Sequence, residues 1–121
     1  MDEWSALNAF WNGFSIPAYD ENTVPDDVEM PYITYEASVG GFDDSILLSA
    51  SLYYRSQSWR EISQKAKEIG QTINSGHGVG YQGGRLWITP QSPFAQRMSE
   101  PDDSGVRRIL LQIQAEFQTA F

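Results

Sequence analysis

The chain has 121 residues, 40% of them hydrophobic and 13% aromatic, which is enough for one hydrophobic core and excludes a wholly disordered chain; this length predicts a single domain over 1–121. There is no cysteine, so a disulfide framework and a thiolate metal site are both excluded, and no apolar run reaches the roughly 20 residues that a membrane helix needs. A net charge of −8 argues against a nucleic-acid-binding surface, because phosphate recognition needs clustered Lys and Arg.

The distribution of charge says more than its sum. All 8 Lys and Arg lie from Arg55 onward, whereas most of the 16 acids precede it. Two readings follow: a solvated acidic face, or a subunit whose acidic side meets the basic side of a neighbour. The start, Met1-Asp2-Glu3-Trp4, lacks the basic residues of a secretory signal, which predicts synthesis in the cytoplasm.

Residues Asp2 to Asn12 read as a short helix, with Asp2 as N-cap, Trp4, Leu7, Phe10 and Trp11 as its apolar stripe and Gly13 as its stop. From Ser15 to Met30 the composition turns to Pro, Asp, Glu and Asn and predicts a mobile loop. Its acids, Asp26 and Asp27 among them, lack the ligand spacing and central glycine of a calcium loop. Pro31 to Ala37 is rich in aromatic and branched residues and predicts a strand, joined through Gly40-Gly41-Phe42-Asp43 to a second strand in an antiparallel hairpin.

The stretch from Ser45 to Ile73 organises the rest. Ile46, Leu48, Ala50, Leu52 and Tyr54 alternate with Ser49, Ser51 and Arg55 at the period of a half-buried strand ending near Arg55. Ser58-Trp59-Arg60-Glu61 then has the form of a capping box, and Trp59, Ile62, Ala66, Ile69 and Ile73 follow at helical steps. Burying the four large members contributes at most about 6 to 12 kcal/mol gross. Asn74-Ser75-Gly76 supplies a left-handed end.

Val79 to Gln82 and Arg85 to Thr89 flank Gly83-Gly84 as a second hairpin. Pro90 to Ser104 predicts a long loop, and loops of that length in a compact domain are usually functional or disordered. Its Phe94, Arg97 and Met98 are the residue types of a contact surface, although a loop folded back on its own core would use Phe94 and Met98 equally well. In the final run, Ile109, Leu111, Ile113, Ala115 and Phe117 alternate with Arg108, Gln112, Gln114 and Glu116, which fits a long strand with one wet face better than a helix. The sum is an α+β domain: an antiparallel or mixed sheet of four to five strands with two helices packed on one face.

No catalytic, cofactor-binding or metal site emerges. His77 stands alone between Gly76 and Gly78, no serine occupies a Gly-x-Ser-x-Gly elbow, and Gly76-His77-Gly78-Val79-Gly80 lies between a helix and a hairpin, the reverse of the context of a phosphate loop. An aromatic ligand site near Tyr32, Tyr35 and Tyr54 is the other class of function that the residue types allow.

Three stretches taken in order carry a resemblance. They are Val24-Pro25-Asp26-Asp27-Val28-Glu29-Met30-Pro31-Tyr32-Ile33-Thr34-Tyr35, the strand ending Tyr54-Arg55-Ser56 with a helix directly after it, and a C-terminal strand after Pro93-Phe94-Ala95-Gln96. In these the chain resembles the tail terminator, or tail-completion, proteins of long-tailed bacteriophages and related tail-like particles. The resemblance covers most of the chain through short, degenerate motifs. It implies a non-enzymatic virion protein without a cofactor, forming a hexameric ring on the head-proximal end of the tail tube, ending tube polymerisation and joining the head-completion proteins. DNA is then only passing cargo in the lumen. Another neck component, a head-tail adaptor or stopper, is the nearest alternative. With the long loops assigned to ring and tube contacts, the expected interface residues are Phe94, Arg97, Met98, Arg107 and Arg108, with Asp26 and Asp27 as acidic partners on a neighbouring copy.

Overall fold

The computed structural model describes residues 1–41 and 43–119. Helix α1 covers Glu3–Trp11 and is followed by a 3-10 turn at Asn12–Phe14; strands β1 (Ala18–Asp20), β2 (Tyr32–Tyr35) and β3 (Ser45–Arg55) come next. Helix α2 spans Arg60–Ile73, and β4 (His77–Tyr81), β5 (Gly84–Met98) and β6 (Val106–Thr119) complete the chain. The strands form one mixed sheet in the order β1-β2-β3-β6-β5-β4, parallel only at β1–β2. The class is therefore α+β with two helices, and the sheet has six strands where the sequence predicted four to five.

The extra strand is β1, inside the stretch read as a loop. Three residues carry no periodicity, and the strand exists because the chain around it supplies partners. Asn12 acts like a strand edge toward Ala18: its Oδ1 accepts from the Ala18 N–H at 3.0 Å, and its Nδ2 donates to the Ala18 carbonyl at 3.2 Å. On the other side Ala18 sits in register with Ile33.

Helix α1 begins as expected, with the Asp2 carboxylate accepting from the Ser5 N–H at 2.8 Å. Its buried residues are Ala6, Leu7, Phe10 and Trp11, whereas Trp4 is exposed, so Ala6 rather than Trp4 completes the buried stripe. The start of α2 differs from a capping box. The Ser58 hydroxyl accepts from the Arg60 N–H at 3.0 Å, two residues on, and Trp59 is the N-cap with no side-chain capping bond. The rest of the helix keeps its predicted face: Ile62, Ala66, Ile69 and Ile73 are buried, Trp59 is partly so, and Gly76 carries a φ of 93° beyond the C-terminus. A side chain at Gly76 would also run into the Trp87 ring.

The stretch from Pro90 to Ser104 is mostly strand. Strand β5 runs through to Met98, with a register shift against β6 between Pro90 and Ala95, so only residues 99–105 form a loop. The second hairpin turns at Gln82-Gly83, one residue earlier than Gly83-Gly84, with Tyr81 paired to Gly84 and Gly83 at a φ of 94°. The connection between β2 and β3 includes Phe42, which lies outside the described residues.

The core lies on one face of the sheet. Leu48, Ala50, Leu52 and Tyr54 of β3 and Ile109, Leu111, Ile113, Ala115 and Phe117 of β6 join Ile33, Tyr35, Leu86 and Ile88 and the buried residues of both helices in one cluster. Ile69 is fully buried there, so Ile69→Ala should lower the unfolding free energy by about 2 to 5 kcal/mol through the cavity it opens. Urea denaturation reads this directly, and a loss under about 0.5 kcal/mol would show that α2 does not pack as described.

Candidate interaction surface

The expected interface residues fall in three places. Arg97 and Phe94 lie on the helix side of β5, Arg97 in register with the core residue Ile109. Met98 pairs with Arg108 on the opposite, helix-free face. Asp26 and Asp27 are exposed in the loop between β1 and β2.

Between α2 and β5 lies an open groove of about 740 Å³. Its helix wall carries Ser63, Lys67, Gly70 and Asn74, spaced by four, three and four residues, a row beside the core stripe on the same helix. The opposite wall is Pro90 to Arg97, and Phe94 closes the floor against Gly70, where a Cβ would sit 3.1 Å from the Phe94 ring. Among its lining residues are two cations, Lys67 and Arg97, and no carboxylate. Neither cation is in an ion pair within the chain among the described residues.

Trp59 holds Arg97, one of the residues that line this groove. The Arg97 guanidinium lies 4.9 Å from the ring centroid and that of Arg107 5.4 Å from it. Arg107 also donates to the Gln57 carbonyl at 2.9 Å and to the Ser104 carbonyl at 3.0 Å, tying the residue 99–105 loop to the start of α2, while its buried Nε finds no acceptor. Arg107 is thus a structural clasp rather than a free contact residue. The sequence marks Trp59 only as part of a stripe, because the two arginines reach it from strands far along the chain.

Arg108 does stand on the open face, as its alternation predicts, but its partners belong to its own chain. Its Nε donates to the Ser51 hydroxyl at 3.1 Å, its Nη1 lies 3.6 Å from Glu100, and its guanidinium is 5.7 Å from the Tyr53 ring. That bond explains why Ser51 can be the one buried polar residue of the core strands. Within the chain Glu100, brought across by the short loop, is the acid beside Arg108.

The same face carries an aromatic row. Tyr32 stacks on Tyr53 with centroids 5.0 Å apart, and Tyr19 meets Tyr32 edge-on at 6.3 Å. Burial in this row, then the neighbouring Tyr53 and Glu100, push the Tyr32 hydroxyl above its ordinary pKa. Tyr35 and Tyr54 are buried on the other face, so Tyr32, Tyr35 and Tyr54 do not converge on one ligand site. His77 packs 5.7 Å from Phe10, and no group of three or more His, Asp or Glu side chains that could hold a metal ion occurs among the described residues.

No protein-family model matches the chain, and no curated protein matches it.

Two predictions come from this geometry. Arg108→Gln removes a half-buried charge from Ser51, Glu100 and Tyr53 and should cost about 1 kcal/mol in denaturation, whereas Arg97→Gln, which is exposed, should cost less than half of that. Equal losses at both sites would contradict the assignment. Asp103 accepts from the Gly105 N–H at 2.9 Å and from Arg55 at 3.2 Å, and these bonds, the backbone one first, hold its carboxyl below the ordinary 3.8. Its contribution is complete above 3.8 and lost as pH falls through the lowered value, so the protection of the Gly105 amide, its exchange compared with that of a free amide at the same pH, should be lost only below that pH. Protection that is already absent near neutrality would exclude Asp103 as the anchor.

Proposed function

We propose that this protein is a tail terminator: a non-enzymatic virion component that assembles as a hexameric ring on the head-proximal end of a phage tail tube. The ring stops tube growth and presents a surface to the head-completion protein. The observation that carries this reading is the separation of unlike surfaces on opposite edges of the sheet. The acidic loop follows the β1 edge, and the basic groove lies along β5 near the other. A ring needs contacts of this kind, in which one surface meets a different surface on the next copy.

The stretches that resemble tail terminators support it in their placement. The acidic Pro-containing segment leads into β2, Tyr54-Arg55-Ser56 leads from β3 to α2, and Pro93-Phe94-Ala95-Gln96 lies in β5 ahead of the C-terminal β6. No helix among the described residues is long and apolar enough to cross a membrane. An acidic chain lining a lumen would let DNA pass as cargo without holding it.

The test is tube capping. Purified protein added to polymerising tail-tube protein should shorten the tubes seen by electron microscopy and decorate one end only. Tubes of unchanged length with bare ends would overturn the reading; binding to the portal-side neck proteins without binding to tubes would assign the chain to a head-tail adaptor or stopper instead.

A further inference from the structure

The groove between α2 and β5 is basic in a chain of net charge −8, which calls for an explanation. Lys67 and Arg97 stand in its walls without an ion pair among the described residues, and the apolar Phe94, Ala66 and Pro90 line it as well. The exposed acids Glu21, Asp26, Asp27 and Glu29 of the loop between β1 and β2 are likewise in no ion pair among the described residues. This loop also carries Val24, Val28 and Met30, which are only partly buried.

No residue of this loop lines the groove of its own chain. In the strand order, β2 and β3 and then β6 separate β1 from β5, four strand spacings or about 19 Å across the sheet. Residues 89–98 of β5 add a further demand. Strand β4 ends its pairing at Ile88, so this stretch has β6 on one side, paired at residues 89–90 and 95–98, and no strand on the other among the described residues. Its free backbone groups face the region where an extended partner could pair.

We propose that the groove of one copy receives the acidic segment of residues 21–30 of the next copy, Asp26 and Asp27 meeting Lys67 and Arg97 while Val24 or Val28 covers Phe94. The joint is head-to-tail, because donor and acceptor sit at opposite edges of the sheet, and copies joined this way must close into a ring or continue as a filament. It rests on the ring reading only for closure at six copies; the contact itself follows from charge and geometry. Such a joint is screened by salt, with a Debye length of about 10 Å at 0.1 M.

The experiment uses full-length chains in sedimentation velocity across a concentration series at low and high salt. Wild-type protein should self-associate at low salt and dissociate as salt rises. Lys67→Glu with Arg97→Glu, and separately Asp26→Lys with Asp27→Lys, should each weaken association by about a hundredfold at low salt, since like charges then face each other. The chain carrying all four changes should recover to within about threefold of wild type, because the pairing is restored with its signs exchanged. Lys67→Glu with Gln71→Glu, which leaves Arg97 on Trp59, guards against a loss due to the changed tryptophan clasp and should weaken association about as much. Wild type that stays monomeric at high concentration, a groove reversal without effect, or four changes that fail to restore association would each overturn the proposal. The two readings fail separately: restored association with a chain that does not cap tubes refutes only the terminator assignment, and tube capping that survives the groove reversal refutes only this joint.

Discussion

Everything in this fold depends on the long pairing of β3 with β6. The two strands run in unbroken antiparallel register from Ser45 opposite Glu116 to Arg55 opposite Val106, and both present apolar residues at alternate positions on the same side, broken in β6 only at Arg107 opposite Tyr54. Because the pleat puts these side chains on one face, that face must be covered and the other need not be. Helix α2 supplies most of the cover through Ile62, Ala66, Ile69 and Ile73, and α1 extends it with Leu7, Phe10 and Trp11. Two helices cannot cover both sides of six strands, so the far face is left to Tyr19, Tyr32, Tyr53, Arg108 and an exposed Leu47.

The groove is a by-product of the same arrangement. Helix α2 is aligned by its buried stripe, which leaves the neighbouring row at Ser63, Lys67, Gly70 and Asn74 raised over the sheet's β5 side. A glycine in mid-helix has a cost of about 1 kcal/mol relative to alanine, and at Gly70 it leaves room for Phe94 to approach the helix backbone. The shift of register between Pro90 and Ala95 then bends the strand away from regular pairing with β6 and opens the far wall. Lys67 and Arg97 are thus held along one cleft by elements whose positions are set by the core.

The arginines show how similar residues acquire different work. Arg107 and Arg108 are adjacent, and the strand pleat sends them to opposite faces. Arg107 reaches Trp59 and two loop carbonyls on the helix side, whereas Arg108 reaches Ser51 and Glu100 on the open side. Arg97 shares the tryptophan with Arg107 yet stays exposed. Of the three, only Arg97 has no hydrogen bond or ion pair among the described residues.

Periodicity was enough to place β3, α2 and β6 and to name their buried faces, because each is long and each repeats its pattern several times. The left-handed end at Gly76 and the cap at Asp2 were legible for a different reason: one residue type there does a local job. What the sequence could not decide depends on partners distant along the chain. Strand β1 is three residues long and exists through Asn12 and β2; β5 continues past Pro90 because β6 offers it a second stretch of register after the shift; and the capping box at Ser58 gave way to a tighter turn onto Arg60. The candidate surface divides in the same way. The residue types Phe94, Arg97, Asp26 and Asp27 and the split of charge along the chain stand in the sequence, but only the order of strands across the sheet puts the acids at one edge and the basic groove near the other, since sequence distance carries no information about which edge a strand will take.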